Sequence, residues 1–332
     1  MKRVGALVLA VGLVAAALWL RGRLDAPEGG GSSRDASRIT CATEVYRACE
    51  ALAAEHTELE IITEDAGDTA ARLAGLAAGT DPGFDVWLTT TPFSAIAGES
   101  LGAAAAVSPL GQSSGPLGHA RLGFWVHQTR AAALEAHCGQ VGWSCLLAAA
   151  PQRWEAIGGD PAWGPLKPHI DEPNGSGGLL ALGNAATTLV GVDADALSVE
   201  ENAAFVGAVT GLARARVKQG LESGAALNRM LAGGPAEVDI VIALESEGAR
   251  FGAAATTKAR LIYPSPVAAS VAYALPRAGG GEGLENLMEL IEENAPGALR
   301  ATGWRPGAGP NAEGLPTLGG LLSIKRIWEE IR

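Results

Sequence analysis

One alternation near the start of the chain limits its fold more than any other feature. RITCAT reads as a short strand, EVYRACEALAAEH as a helix, LEIITE as a strand, DTAARLAGLAAG as a helix and FDVWLTT as a strand. Val45, Ala48, Cys49 and Leu52 share one face of the first helix at helical spacing. Asp68 stands where a side chain can cap the second. Alternating strands and helices with short connections admit few topologies. The expected one has parallel strands, right-handed crossovers and helices packed on the sheet. The expected fold class is therefore α/β.

The rest of the chain is less regular. RLGFWVHQ (121–128) reads as a strand and TRAAALEAHC as a helix, followed by a Trp- and Pro-rich stretch, 151–170, of loop and short helix. EPNGSGGLLALGNAATTLVG, from Glu172 to Gly191, places a Pro-, Asn- and Gly-rich loop directly before a long Ala-rich helix. SVEENAAFVGAVTGLARARVKQG reads as one helix starting at Ser198, with Glu201 at capping-box spacing. VDIVIALE reads as a buried strand. ARLIYPSP and VAASVAYALP are strand-like, and LENLMELIEENAPGALRATGW reads as a closing helix pair. Trp125, Trp143, Trp154 and Trp163 are read as core, with a sugar-stacking platform as the alternative.

The N-terminus predicts a destination. Met1-Lys2-Arg3 precedes VGALVLAVGLVAAALWL, residues 4–20, an uncharged run near the lower limit for spanning a bilayer. An uncleaved anchor over 1–23 with a flexible linker over 24–36 is the expectation; a cleaved signal peptide is the competing reading. Either puts the folded part outside the cytoplasm. Single-pass attachment to the cell membrane is thus expected. Four cysteines suit such a compartment: no CxxC occurs, and of three possible connectivities the local one, Cys41–Cys49 and Cys138–Cys145, is expected. Four buried thiols are the alternative.

Charge removes one class of partner. The formal net charge is -11, and residues 1–24 carry Lys2, Arg3, Arg21 and Arg23 without an acid, so the remainder is more acidic still. Nucleic acid binding needs a basic footprint that this chain lacks. Catalytic patterns are also weak. Gly98-Glu99-Ser100-Leu101-Gly102 matches the nucleophile-elbow spacing, but no apolar strand leads into it. The histidines His56, His119, His127, His137 and His169 show no paired metal spacing. Neither an enzyme, a metal nor a cofactor is expected.

Four segments, taken in order, resemble a known family. LEIITEDAGDTAARLAGLAAGTDPGFDVWLTT, LKPHIDEPNGSGGLLALGNA, GLESGAALNRMLAGGPAEVDIVIALES and LIYPSPVAASVAYALP are similar to segments of the type 2 periplasmic solute-binding proteins. The closest likeness is to the molybdate-receptor-like and related bacterial extracellular solute-binding branch. The resemblance spans roughly residues 38–306 and rests on order and spacing together. It implies two lobes, each a mostly parallel sheet flanked by helices, with a ligand in the cleft between them. Lobe one would be 37–115 plus 267–332, and lobe two 116–266. It implies capture of a small solute by lobe closure, with an ABC-type transporter permease as partner. A tethered sensor or interaction protein of the same fold is the alternative.

Open parallel sheets bind ligands at the carboxyl ends of their strands. Those ends bring forward Thr43, Glu44, Asp68, Thr69, Thr90, Thr91 and Glu245, with Tyr263 at the return crossing. The Gly-rich loop adds Asn174, Ser176 and Gly177, whose backbone a ligand can approach and whose helix start favours an anionic group. Three carboxylates nearby oppose a simple oxyanion. The expected solute is a neutral polyol, a zwitterion or a cation, with a hydroxyl or carboxylate on the Gly175–Gly178 amides.

Overall fold

Ser37–Ala42 (β1), Tyr46–Glu55 (α1), Leu59–Glu64 (β2), Ala66–Ala74 (α2) and Val86–Thr90 (β3) form in the order the alternation predicts. β1 pairs in parallel with β2 and with β3, so that Ile39 lies opposite both Ile61 and Val86. The structure is a computed structural model that describes residues 36–77, 79–104, 108–217, 221–309 and 315–331, without the side chains of 99–104. The expected membrane segment, 1–23, and nearly all of the linker lie outside the described residues. Among those that are described, no helix is long and apolar enough to cross a membrane.

Phe93–Ala104 (α3) and Gly118–His127 (β4) follow, then Gln128–Cys138 (α4), Trp143–Ala149 (α5), Pro168–Ile170 (β5) and Ser176–Leu189 (α6). Ala196–Glu201 (α7), Ala203–Ala215 (α8), Ser223–Gly233 (α9) and Ile240–Leu244 (β6) come next. Glu245–Ala249 (α10), Ala253–Lys258 (α11), Ala259–Ile262 (β7), Ala269–Pro276 (β8), Glu282–Ala301 (α12) and Leu318–Ile331 (α13) complete the chain. The strands lie in the order β2-β1-β3-β8-β4-β6-β5, with β7 also on β4.

The expectation of mostly parallel sheets is corrected to a mixed sheet. Only β1 with β2, β1 with β3 and β5 with β6 pair in parallel; every pairing made by β4 or β8 is antiparallel. These two strands carry the chain across the middle of the sheet, and an antiparallel neighbour needs no crossover helix. Gly118–Arg121 of β4 pair with β8, while the rest of β4 pairs with β6 and β7.

Period two explains the apolar run of β6. Ile240, Ile242 and Leu244 join the large core with Phe124, Val126 and Trp143. Val241 and Ala243 point the other way, into a smaller core with Trp125, Leu227 and Met230. A strand covered on both faces has no polar face to alternate with. Trp143 and Trp154 are fully buried and Trp125 nearly so, as the core reading expects.

Two helix expectations need correction. The helix expected from Ser198 is two helices. Asp195 caps α7 one turn earlier, its Oδ1 accepting from the Ser198 amide at 2.8 Å, and the extended Asn202 starts α8 by accepting from the Phe205 amide at 2.9 Å. The closing helix pair is one helix: α12 runs through Pro296. Pro296 removes a donor, but Leu287, Ile291, Ala295 and Leu299 keep one buried stripe across it. The other unexpected element, α13, packs on α6, α7 and α8, whereas α12 packs on α1 and β8.

Both expected disulfides are present. Cys41–Cys49 ties the end of β1 to α1, and Cys138–Cys145 ties the end of α4 to α5.

Candidate functional site

A cleft of about 270 Å³ opens where the ends of β1 and β2 meet the segments before α6 and α9. Thr43, Glu44, Tyr46 and Asp65 line one side; Asp171, Glu172, Gly175, Leu221, Glu222, Ser223, Gly224, Glu247 and Arg250 line the rest. Thr43 and Glu44 reach it because β1 ends at Ala42 and α1 does not begin until Tyr46.

Glu44 caps a helix from 133 residues away. Its Oε1 accepts the Gly177 amide at 2.9 Å, in the first turn of α6. The second oxygen, Oε2, is closed from solvent and has no hydrogen-bond partner in the protein. Burial raises the carboxyl to about 7 against the pull of the Gly177 and Glu44 amides, with Asp171 and Asp65 pushing it further up. The Gly177 amide, one of the Gly175–Gly178 amides expected to hold a solute's hydroxyl or carboxylate, is therefore already taken by a side chain.

The Gly-rich loop docks on the start of α2. The Gly67 amide donates to the Asn174 carbonyl at 2.8 Å, and Ser176 Oγ donates to the Thr90 carbonyl at 3.3 Å. Gly67 has to be glycine for this contact, because a Cβ would overlap Asn174. The same holds at Gly178, where a Cβ would overlap the carbonyls of Asp171 and Glu172. Asp65, not Asp68, is the cap position of α2, yet its carboxylate makes no cap bond. It accepts instead from Thr43 Oγ1 at 3.1 Å and Asn174 Nδ2 at 3.5 Å.

The far wall carries further acids. Asp171 faces His169 Nε2 at 3.2 Å. Glu172 accepts from Arg216 at 2.6 Å and from Trp328 Nε1 at 2.7 Å. Burial raises the Glu247 carboxyl; Arg250 pulls it down, Asp171 and Glu222 push it up, and Arg47 pulls it down. Gly224 leaves the space that the Arg250 guanidinium and Glu247 occupy.

Of the expected site residues, Thr43 and Glu44 line the cleft, Asn174 lies in the adjoining loop, and Ser176 and Gly177 lie in the first turn of α6. Asp68 is exposed on α2 and outside the cleft. Thr69 is buried and donates to Glu64 at 2.6 Å. Thr90 is buried at the end of β3, and Thr91 Oγ1 accepts from the Val271 amide at 2.9 Å. Glu245 and Tyr263 are held by each other and by arginines. Glu245 accepts from Arg305 Nε at 2.7 Å, Arg121 Nη2 at 2.9 Å and Tyr263 hydroxyl at 2.5 Å. Burial alone would raise the Glu245 carboxyl, but the donors from Arg305, Arg121 and Tyr263 outweigh it and hold it at about 2. Burial and the bond to Glu245 push the Tyr263 hydroxyl up to about 12. The reason for the miss is a turn of direction: α10 starts at Glu245 itself, so Glu247, two residues on, faces the cleft. Asp65, Asp171, Glu222, Glu247 and Arg250 were not singled out in the sequence, since only tertiary packing brings them together.

No protein-family model and no curated sequence matches this chain. Solved structures do. A periplasmic thiamin binding protein aligns with a TM-score of 0.58 at 13% identity, covering 91% of this chain and 98% of its own. The periplasmic binding protein AfuA from Actinobacillus pleuropneumoniae, with fructose-6-phosphate bound, aligns with a TM-score of 0.56 at 14% identity over 90% and 98%. An ABC transporter structure from Clostridium perfringens aligns with a TM-score of 0.51 at 12% identity over 89% and 99%. The chain has the fold of a periplasmic solute-binding protein. In a chain of this fold, the acid-lined cleft at the strand ends lies where an open α/β sheet binds ligands. The likeness does not single out the molybdate-receptor-like branch.

Proposed function

We infer that the protein is a solute-binding protein working outside the cytoplasm, tethered to the cell membrane by residues 1–23, that delivers a small solute to an ABC-type importer. The observation that carries this reading is the cleft: an open volume of about 270 Å³ at the carboxyl ends of β1 and β2, lined by both polar and apolar side chains. Its size is near the lower end of small-molecule pockets, roughly 300–1,000 Å³. The similar structures support it, being described as a periplasmic thiamin binding protein, a periplasmic binding protein with exogenous fructose-6-phosphate bound, and an ABC transporter.

In this reading lobe one is 37–115 plus 267–332, lobe two is 116–266, and β4 and β8 are the crossings between them. Solute contacts to both sides of the cleft shift the population toward a closed form. The molybdate-receptor-like branch is the proposed affiliation, on the likeness of the four quoted segments alone. The test is a melting-temperature screen of the purified full chain against a solute library. A ligand at a hundred times its Kd adds about 2.7 kcal/mol to stability, a shift easily read. Unchanged melting with every small molecule at millimolar concentration would rule out capture.

A further inference from the structure

We propose that the cleft selects a small organic cation, a solute presenting an ammonium or similar group, over oxyanions and neutral sugars. The proposal rests on the reading of this cleft as the solute site. Its walls carry Glu44, Asp65, Asp171, Glu172, Glu222 and Glu247, and Arg250 is the only basic side chain lining it among the described residues. Several of these acids are already served: Asp65 by Thr43 and Asn174, Asp171 by His169, Glu172 by Arg216 and Trp328.

Glu44 is different, and it supplies the independent observation. Its Oε2 is shut off from bulk solvent and meets no donor in the protein, while Oε1 is fixed on the Gly177 amide and sits close over Gly175. A buried carboxyl with an unmatched oxygen calls for a donor or a positive charge. Asp65 and Asp171 lie close enough to raise it, so a cation in the cleft meets those two carboxylates and draws the Glu44 carboxyl into its ionised form. An oxyanion meets the opposite balance. The helix-start amide that would hold it is occupied, and it would stand among like charges.

The chemistry also favours an organic cation over a metal ion. Among the described residues no three His, Cys, Asp or Glu side chains converge as a ligand set. The carboxylates are spread around a cleft that Tyr46 and Leu221 also line, and these suit the apolar body of a multi-atom solute.

The test uses the purified full chain, wild type and Glu44→Gln, with named probes: choline, spermidine and arginine as organic cations; sulfate, phosphate and fructose-6-phosphate as anions; glucose and inositol as neutral solutes; Ca²⁺ and Mg²⁺ as metals. Melting shifts are read first, then calorimetric Kd. At least one organic cation should raise the melting temperature of the wild type, bind at least tenfold more weakly to Glu44→Gln, and weaken with added salt. The variant retains the Gly177 contact through its amide oxygen, and its own melting temperature reports that it is folded. Preferred binding of an anion, a neutral sugar or a metal overturns the cation assignment and leaves the solute site standing. Equal cation affinity in wild type and variant overturns it too. If no probe of any class binds, the cation assignment falls together with the reading of the cleft as a solute site.

Discussion

At the scale of single residues, two carboxylates in opposite surroundings set the pH response. Glu245 is held at about 2 against a usual 4.5, so its ionised form favours the folded state. That contribution is fully present above pH 4.5 and is lost as pH falls toward 2; a shift of this size is worth roughly 3 kcal/mol. Glu44 has the opposite sign. Its carboxyl is raised to about 7, so its stabilising form is the protonated one, and stability declines as pH rises from 4.5 through 7. Denaturation midpoints from pH 2 to 9 should show both limbs. Glu245→Gln should flatten the acid limb, and Glu44→Gln should flatten the alkaline limb and make the protein more stable than wild type at pH 8. A Glu44→Gln protein less stable than wild type at pH 8 would contradict the burial described here. Thr43 and Glu44 were readable in the sequence because the first alternation fixes where β1 ends. Glu247 was not, because choosing it over Glu245 requires knowing that a helix begins at the strand's last carboxyl end.

At the scale of elements, the contact between the Gly-rich loop and α2 is the one most exposed to a single methyl group. Gly67→Ala places a Cβ against both the side chain and the carbonyl of Asn174. Overpacking of this kind costs typically 1–3 kcal/mol. Gly75→Ala in the same region is the control, since its Cβ would lie at 3.6 Å from the nearest atom, an ordinary contact. Urea denaturation should show a clear loss for the first and little change for the second. Equal midpoints would mean that the loop does not hold α2 rigidly. The five elements from β1 to β3 were readable because each carries its own period and short connections. Pro296 misled because a proline inside a helix is a local signal, whereas the stripe of Leu287, Ile291, Ala295 and Leu299 that overrides it acts through packing. The mixed sheet was hidden for a related reason: strand direction at β4 and β8 follows from where the chain crosses, not from any residue in them.

At the scale of the whole molecule, the place where β4 changes partners is held by charge. Arg121, at the last β4 position paired with β8, stacks on Tyr263 at 3.9 Å and shares Glu245 with Arg305. Four residues from four stretches of chain meet at this crossing. The proposed tether belongs to the same scale: the full chain should sediment with membranes and begin at Met1, and N-terminal sequencing that starts near Leu18 or Asp25 would show a cleaved signal instead.

The Cys41–Cys49 bond closes a loop that contains Thr43, Glu44 and Tyr46, so one wall of the cleft is framed by a covalent ring. Before that ring closes, the segment has the freedom of any short connection between a strand and a helix. Oxidation adds a covalent restraint to a wall that the Thr43–Asp65 and Glu44–Gly177 hydrogen bonds also hold. A chain still in a reducing interior would therefore be less able to trap solute there, and capture would be favoured by arrival where thiols oxidise. Incubation with a reductant should weaken solute binding before it unfolds the protein.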